Sequence, residues 1–230
     1  YEITDDVILV VINPRELHGE EPPERVVPMM VESDVIIMPL AYSMTHAKAT
    51  KKARSKGARV VSMGDFKESM LEEGGIEADF LEIKTTVERI ASILEEGKEA
   101  TVTTKKGTKL KMDIEGRKGY SEPGVSHEPG NISCAPNIEA NVGPLEGTTK
   151  GKIVVDGSIP HPSLGVINQP ITITVEEGKI TEIQENNPQA KTLKELLEDM
   201  NDTNIYNIAE LGIGLNPSSN ICGSMLEDEG

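Results

Sequence analysis

Two glutamates stand in segments that would present them to a ligand. Glu139 lies in a block bounded by Pro136 and Pro144, and Glu210 lies in an otherwise apolar segment. A proline-bounded block holds a side chain on a rigid backbone, and such segments often bind ligands. Two carboxylates that approach one point suit a divalent cation. The pair therefore predicts half of a metal site. A third acidic group, Glu227-Asp228-Glu229, lies just before Gly230.

Each glutamate also has an ordinary interpretation. Glu139 could be a solvated loop carboxylate, since most glutamates in proteins are exposed. Glu210 could point to water from an edge strand, because Asn and Asp residues precede it. If Glu210 instead faces inward with Ile208, its burial without a partner is costly, and a metal ion or another cation is the usual remedy. The residues alone leave these alternatives open.

The histidines add little to this site by their spacing. A catalytic zinc or iron site normally includes at least one histidine. None of the four histidines belongs to an HxH or HExxH pattern. His127 is the nearest of them to the Glu139 block along the chain. It is a candidate for a ligand or a proton carrier, against the alternative of an ordinary hydrogen-bonded histidine.

The composition limits the classes of partner. Acidic residues number 39 against 23 basic ones, which gives a formal net charge of -16. This charge repels phosphate backbones and anionic lipids, so we expect no nucleic acid and no membrane partner. The two cysteines are too few for a disulfide framework, and no apolar run reaches the roughly 18 residues of a membrane span. We therefore expect a cytoplasmic location.

The first part of the chain has the pattern of an α/β sheet. Three apolar runs rich in β-branched residues predict buried parallel strands at Val7–Ile12, Val35–Pro39 and Ala58–Met63. A helix is predicted over residues 46–56, because this stretch is rich in Ala and Lys and Gly57 follows it. Strand, helix and strand at this spacing favour an open, mostly parallel sheet.

A helix with one apolar face is predicted over Thr86–Glu96, and Gly97 ends it. We place the domain boundary there. The prediction is an α/β domain over residues 1–97, with an open, mostly parallel sheet and helices. An α+β, largely antiparallel domain that holds the metal site would follow over residues 98–230.

The second part predicts hairpins and one helix. Short extended runs flank Lys105–Thr108 and Glu176–Lys179, each of which contains a glycine for the turn. Thr192 with Glu195 three residues later forms a capping-box pattern, which predicts the start of the helix.

Several motifs together resemble the metallo-aminopeptidase family typified by aminopeptidase T. They are Pro136-x-x-Glu139-x-x-x-Gly143-Pro144, the run Ala209-Glu210-Leu211-Gly212-Ile213-Gly214, and Leu226-Glu227-Asp228-Glu229-Gly230. The likeness extends upstream to Gly57-Ala58-Arg59-Val60, Ser43-Met44-Thr45-His46 and Glu21-Pro22-Pro23, so it covers nearly the whole chain. The same outline is shared by 2,5-dihydroxypyridine 5,6-dioxygenase, a ring-cleaving relative that uses mononuclear iron.

The resemblance implies a dimeric hydrolase that removes N-terminal residues from short peptides. Glu139 and Glu210 match the family's first and second metal-binding glutamates. Paired zinc, cobalt or manganese ions would polarise the scissile carbonyl and activate a water, and Glu146 or His127 would move the proton. The family's remaining ligands would fall beyond Gly230, and the first strand and helix of its sheet would fall before residue 1.

Two alternatives to the aminopeptidase stay open. One is the iron-dependent ring-cleaving dioxygenase, which acts on another small molecule. The other is a non-catalytic scaffold with an incomplete metal site. Ile138 bears on the choice, because the peptidases usually have glycine before the first glutamate, and a larger residue there would narrow the pocket or mark the branch that is not a peptidase.

Overall fold

The structure is a computed structural model that describes residues 6–230. Contacts group the chain into two compact units. Unit 1 comprises the chain up to Phe66 together with Val125–Ala135, and unit 2 comprises Lys67–Gly124 and Pro136–Gly230. These ranges do not coincide with the predicted division at residue 97, because the helix expected to end the first domain packs on strands of unit 2.

Unit 1 contains the parallel sheet that the sequence predicts. Its strands are β1 (Val35–Leu40), β2 (Arg59–Gly64) and β6 (Ile132–Ser133), and its helices are α1 (Val27–Val31) and α2 (Lys48–Ser55). Strand β2 lies in the centre and pairs in parallel with β1 and β6. The predicted strand, helix and strand are therefore confirmed as β1, α2 and β2.

The apolar run Val7–Ile12 does not form the predicted strand. These residues have no regular secondary structure, and Val11 is 85% exposed. Strand β1 is the edge of its three-stranded sheet, and its outer side pairs with no strand of the described chain. The prediction of a strand at this run is wrong, because its backbone makes no ladder pairing with any strand of the described chain, the open edge of β1 included.

Unit 2 combines three antiparallel sheets, one of them only two-stranded, with two long helices. The helices are α3 (Phe80–Glu96), α4 (Pro188–Asp199) and the short α5 (Met225–Asp228). The strands are β3 (Glu99–Thr103), β4 (Lys109–Asp113), β5 (Gly119–Glu122), β7 (Glu139–Val142), β8 (Lys150–Val155), β9 (Ser158–Ile159), β10 (Gly165–Val166), β11 (Ile171–Glu176), β12 (Lys179–Ile183) and β13 (Leu211–Gly214). Both predicted hairpins are confirmed, as β3–β4 and β11–β12.

One sheet has five strands in the order β12-β11-β8-β4-β3, and another has three in the order β13-β7-β5. Strands β9 and β10 form a separate antiparallel pair. Helix α3 packs on β5 and β7, whereas α4 packs on β11 and β12. A single apolar core lies between these elements, with Met112, Ile138 and Ile171 almost fully buried. This arrangement confirms the fold class: mixed α/β, with a parallel sheet first and antiparallel sheets after it.

The two long helices begin at polar caps. Asp79 accepts hydrogen bonds from the backbone N–H groups of Leu81 and Glu82, so α3 starts six residues before the predicted Thr86. Asn187 accepts from the N–H of Ala190, and Pro188 follows it at the first helical position. The capping box predicted at Thr192 is therefore wrong. No helix of residues 6–230 combines the length and the apolar run that crossing a bilayer requires.

Candidate active site

Glu139 begins strand β7, the central strand of the three-stranded sheet. It pairs with Glu122 of β5 on one side and with Gly214 of β13 on the other. The residue is only 5% exposed. The structure thus places Glu139 in a buried strand and not in a solvated loop. The backbone between Pro136 and Pro144 pairs there with a strand on each side.

The neighbouring side chain, Ile138, belongs to the hydrophobic core and is fully buried. Successive side chains of a strand point to opposite faces of its sheet. Ile138 therefore packs into the core, away from the Glu139 carboxylate, so the first of its two alternatives, a narrowed pocket, does not apply.

The electrostatic surroundings of Glu139 oppose its negative charge. Burial raises the pKa of its carboxyl group above the ordinary value, and the carboxylates of Glu210 and Glu122 raise it further. A hydrogen bond from Asn141 acts in the opposite direction, because it stabilises the ionised form. A cation bound at this position would therefore stabilise the ionised form of Glu139.

Glu210 lies one residue before β13 and is exposed as a residue. Loss of water around its carboxyl group still raises the pKa, and the charge of Glu122 adds to this effect. The structure therefore brings Glu139 and Glu210, the two predicted metal ligands, within electrostatic range of each other. It also adds Glu122, which the sequence analysis did not consider.

Glu229 is a further member of this group that the sequence analysis did not assign to the site. Burial of its carboxyl group, followed by the charges of Glu139, Glu210 and Glu122, raises its pKa to about 7. Asn137 Nδ2 donates to Glu229 Oε2 at 3.3 Å. The four glutamates, Glu122, Glu139, Glu210 and Glu229, form what we call the carboxylate group.

The two acidic residues before Glu229 have structural roles. Glu227 Oε1 accepts from the backbone N–H groups of Gly75 at 2.6 Å and Asn220 at 3.2 Å. Asp228 accepts from the N–H of Cys222 at 2.6 Å and from the hydroxyl of Ser158. These bonds fix the backbone around α5, which holds Glu229 within electrostatic range of Glu139.

The carboxylate group suits a divalent cation on three observations. Its donors are carboxylate oxygens, which hard divalent ions prefer. Asn137 Oδ1 is buried and has no hydrogen-bond partner among the described residues. At Gly212 a Cβ atom would lie 3.1 Å from the carboxyl carbon of Glu139, so glycine leaves a space beside that carboxylate.

The described residues do not make a complete metal site. Within residues 6–230, no three His, Cys, Asp or Glu side chains are placed so that they could hold one ion.

The two predicted proton carriers lie in different surroundings. Glu146 forms an ion pair with Arg117, and its side chain is 86% exposed. A backbone hydrogen bond and then the Arg117 charge lower the pKa of Glu146, which weakens it as a base. His127 belongs to unit 1 and is exposed. Their catalytic roles stay predictions.

Comparison with known proteins identifies the family. A family model described as 2,5-dihydroxypyridine 5,6-dioxygenase matches residues 15–229. The chain belongs to this dioxygenase family.

Individual members of the dioxygenase family agree with this assignment. A 2,5-dihydroxypyridine 5,6-dioxygenase of Pseudomonas putida is 27% identical over 138 residues, which are 60% of this chain and 39% of that protein. A solved structure of 2,5-dihydroxypyridine dioxygenase from Pseudomonas putida KT2440 has a TM-score of 0.72 at 20% identity, and it covers 89% of this chain and 60% of that one. The chain thus spans less than two thirds of both relatives.

The main functional prediction, an aminopeptidase, is wrong. The family model that matches residues 15–229 is that of a dioxygenase, and this match overturns the prediction. A solved structure of wild-type AmpT from Thermus thermophilus is similar with a TM-score of 0.41 at 15% identity, over 56% of this chain and 31% of that one. The dioxygenase family is one of oxidoreductases, so the terms hydrolase and metalloprotease do not apply to it. The error has a chemical reason: a pair of carboxylates can hold a metal for hydrolysis or for oxygen chemistry, and the site's other parts decide which.

The family also corrects the cofactor. A dioxygenase implies a metal ion, and neither the family nor its relatives support the predicted zinc, cobalt or manganese.

Proposed function

We propose that this chain is part of an iron-dependent dioxygenase that opens a hydroxylated pyridine ring. The observation that carries the proposal is the match of the dioxygenase family model to residues 15–229. The relatives are named for action on 2,5-dihydroxypyridine at ring positions 5 and 6. We infer the same class of substrate here, a small aromatic ring with two hydroxyl groups.

The reaction requires no external reductant. Both atoms of O2 enter the substrate, while the bond between ring carbons 5 and 6 breaks and supplies the electrons that reduce the oxygen. When bound, a divalent iron with open positions supplies the redox chemistry that this insertion needs.

The contribution of the chain is to hold the cation with oxygen ligands. In our proposal Glu139 and Glu210 are ligands, and Glu122 and Glu229 add negative charge nearby. Without a cation, the neighbouring carboxylates raise the pKa of Glu139 and of Glu229, and the group would repel an ionised hydroxypyridine. With a divalent ion between them, the local charge falls, and a ring that carries ionised hydroxyl groups can approach.

Labelled oxygen tests the proposal. The protein containing this chain is loaded with Fe²⁺ under nitrogen and then mixed with 2,5-dihydroxypyridine and ¹⁸O2. The mass of the product is measured by mass spectrometry. We expect a ring-opened product that carries two labelled oxygens, and we expect Glu139→Gln to form much less of it. A product with no label, or an intact ring under all conditions, contradicts the proposal.

The homodimer and the cytoplasmic location stay predictions. So does the expectation that neither nucleic acid nor a membrane is a partner. The charge of -16 supports the last of these, because it disfavours binding to polyanions.

A further inference from the structure

The buried carboxylate of Glu139 is oriented by an amide on its own strand. Asn141 Nδ2 donates to Glu139 Oε1 at 2.7 Å. Residues two apart on a strand point to the same face, so both side chains lie on one face of the three-stranded sheet. Both are also buried, at 7% and 5% exposed. A short hydrogen bond in a buried place fixes which way a carboxylate turns.

The neighbouring strand leaves room for this carboxylate. Asn141 pairs with Gly212, and Glu139 pairs with Gly214, so β13 presents no side chain at either position. A Cβ atom at Gly212 would lie 3.1 Å from the carboxyl carbon and from Oε1 of Glu139, and 3.4 Å from Oε2. The two contacts at 3.1 Å are tighter than ordinary contact, so alanine there would make the carboxylate shift by a few tenths of an ångström.

We propose that Asn141 and Gly212 are positioning residues that set the orientation of Glu139 toward a divalent cation. Asn141 fixes one carboxylate oxygen by its amide, and Gly212 leaves the space into which the carboxylate fits. Residues that orient a metal ligand in this way commonly change metal affinity about 10–100-fold when they are replaced. This inference rests on the proposed metal-dependent function.

A purely structural role makes a different prediction. If Asn141 only satisfies a buried carboxylate, its loss would change the stability of the metal-free protein and leave the metal's coordination unchanged. If Asn141 positions Glu139, the affinity for a metal and the absorption spectrum of that metal change together. A spectroscopic metal therefore separates the two roles without measuring activity.

The test is a titration with Co²⁺, whose visible absorption reports its coordination. We expect Asn141→Leu, which removes the amide at similar size, to weaken Co²⁺ binding about 10–100-fold and to shift the absorption bands. Gly212→Ala keeps every donor and should act in the same direction. Gly157→Ala, where the nearest atom to a new Cβ is 4.0 Å away, and Asn168→Leu at an exposed position are the matched controls.

The outcomes are distinct. If Asn141→Leu and Gly212→Ala bind Co²⁺ with the native affinity and spectrum, the positioning role is overturned and the proposed function stands. If the native protein binds neither Co²⁺ nor Fe²⁺, the metal-dependent function is overturned, and the positioning role with it. Circular dichroism checks the fold of each variant, and Asn141→Ser, which keeps a shorter donor, replaces Asn141→Leu if the latter does not fold.

Discussion

Replacing Glu229 with glutamine should stabilise the metal-free protein at neutral and alkaline pH. Burial of the carboxyl group and the charges of Glu139, Glu210 and Glu122 raise the pKa of Glu229 from 4.5 to about 7 in the folded protein. A raised pKa means that the folded state binds the proton more tightly than the unfolded state does. Between these two pKa values the ionised group destabilises the fold increasingly as pH rises, and above about 7 the full cost is present.

The size of the effect follows from this shift. Each unit of pKa corresponds to about 1.4 kcal/mol, which gives roughly 3 kcal/mol before solvent is considered. Glu229 is exposed as a residue, so water screens part of this energy. We therefore expect Glu229→Gln to raise the free energy of unfolding by about 1–2 kcal/mol at pH 8. Near pH 4, where the native carboxyl group is protonated in both states, the gain should vanish.

Urea unfolding in the presence of a chelator, at pH 4, 6 and 8, measures this dependence. Glu185→Gln is the matched control. That carboxylate is exposed, and its ion pair with Lys194 lowers its pKa, so its replacement should not stabilise the protein at pH 8. Two results would contradict the inferred repulsion among the four carboxylates. One is a Glu229→Gln variant no more stable than the native protein at pH 8, and the other is an equal increase in the free energy of unfolding at every pH.

Three further predictions concern the core, a helix cap and the metal. Ile138→Ala should lower the free energy of unfolding by about 2–5 kcal/mol in urea, because it empties a fully buried core position; a loss under 1 kcal/mol would show that this position is not packed as described. Asp79→Ala should lower it by about 1 kcal/mol through loss of the α3 cap, whereas Asp79→Asn should retain most of that energy. An excess of Fe²⁺ under nitrogen should raise the midpoint of thermal unfolding of the native protein, since a ligand that binds only the folded state stabilises it. Glu139→Gln should remove most of that rise, and an equal rise in both proteins would exclude Glu139 as a ligand.

Local patterns predicted much of the fold. The β3–β4 and β11–β12 hairpins follow from alternating runs around glycine turns, and Glu177 and Gly178 both adopt the positive φ that a tight turn needs. The helix caps were harder to predict, because Asn187 with Pro188 competes with Thr192 for the same helix start. The prediction of a strand at Val7–Ile12 was wrong because strand formation depends on pairing with another strand, and a single stretch of sequence does not reveal that pairing.

The site was predicted only in part, since its members are far apart in sequence. The proline-bounded block singled out Glu139, and the apolar segment singled out Glu210. Nothing local indicates that Glu229 lies beside Glu139, because the backbone around α5 and the pairing of β13 with β7 bring them together. The reaction was missed because the carboxylates alone fit a hydrolase and a dioxygenase equally well.

Oxygen uptake tests the central claim most directly. The protein containing this chain, loaded with Fe²⁺, is placed in an oxygen electrode with a limiting amount of 2,5-dihydroxypyridine. A dioxygenase should consume one O2 for each ring opened, stop when the ring is exhausted, and show no uptake after iron is removed. Loss of the ring without oxygen uptake, or no reaction with iron bound, would contradict the assignment of this activity.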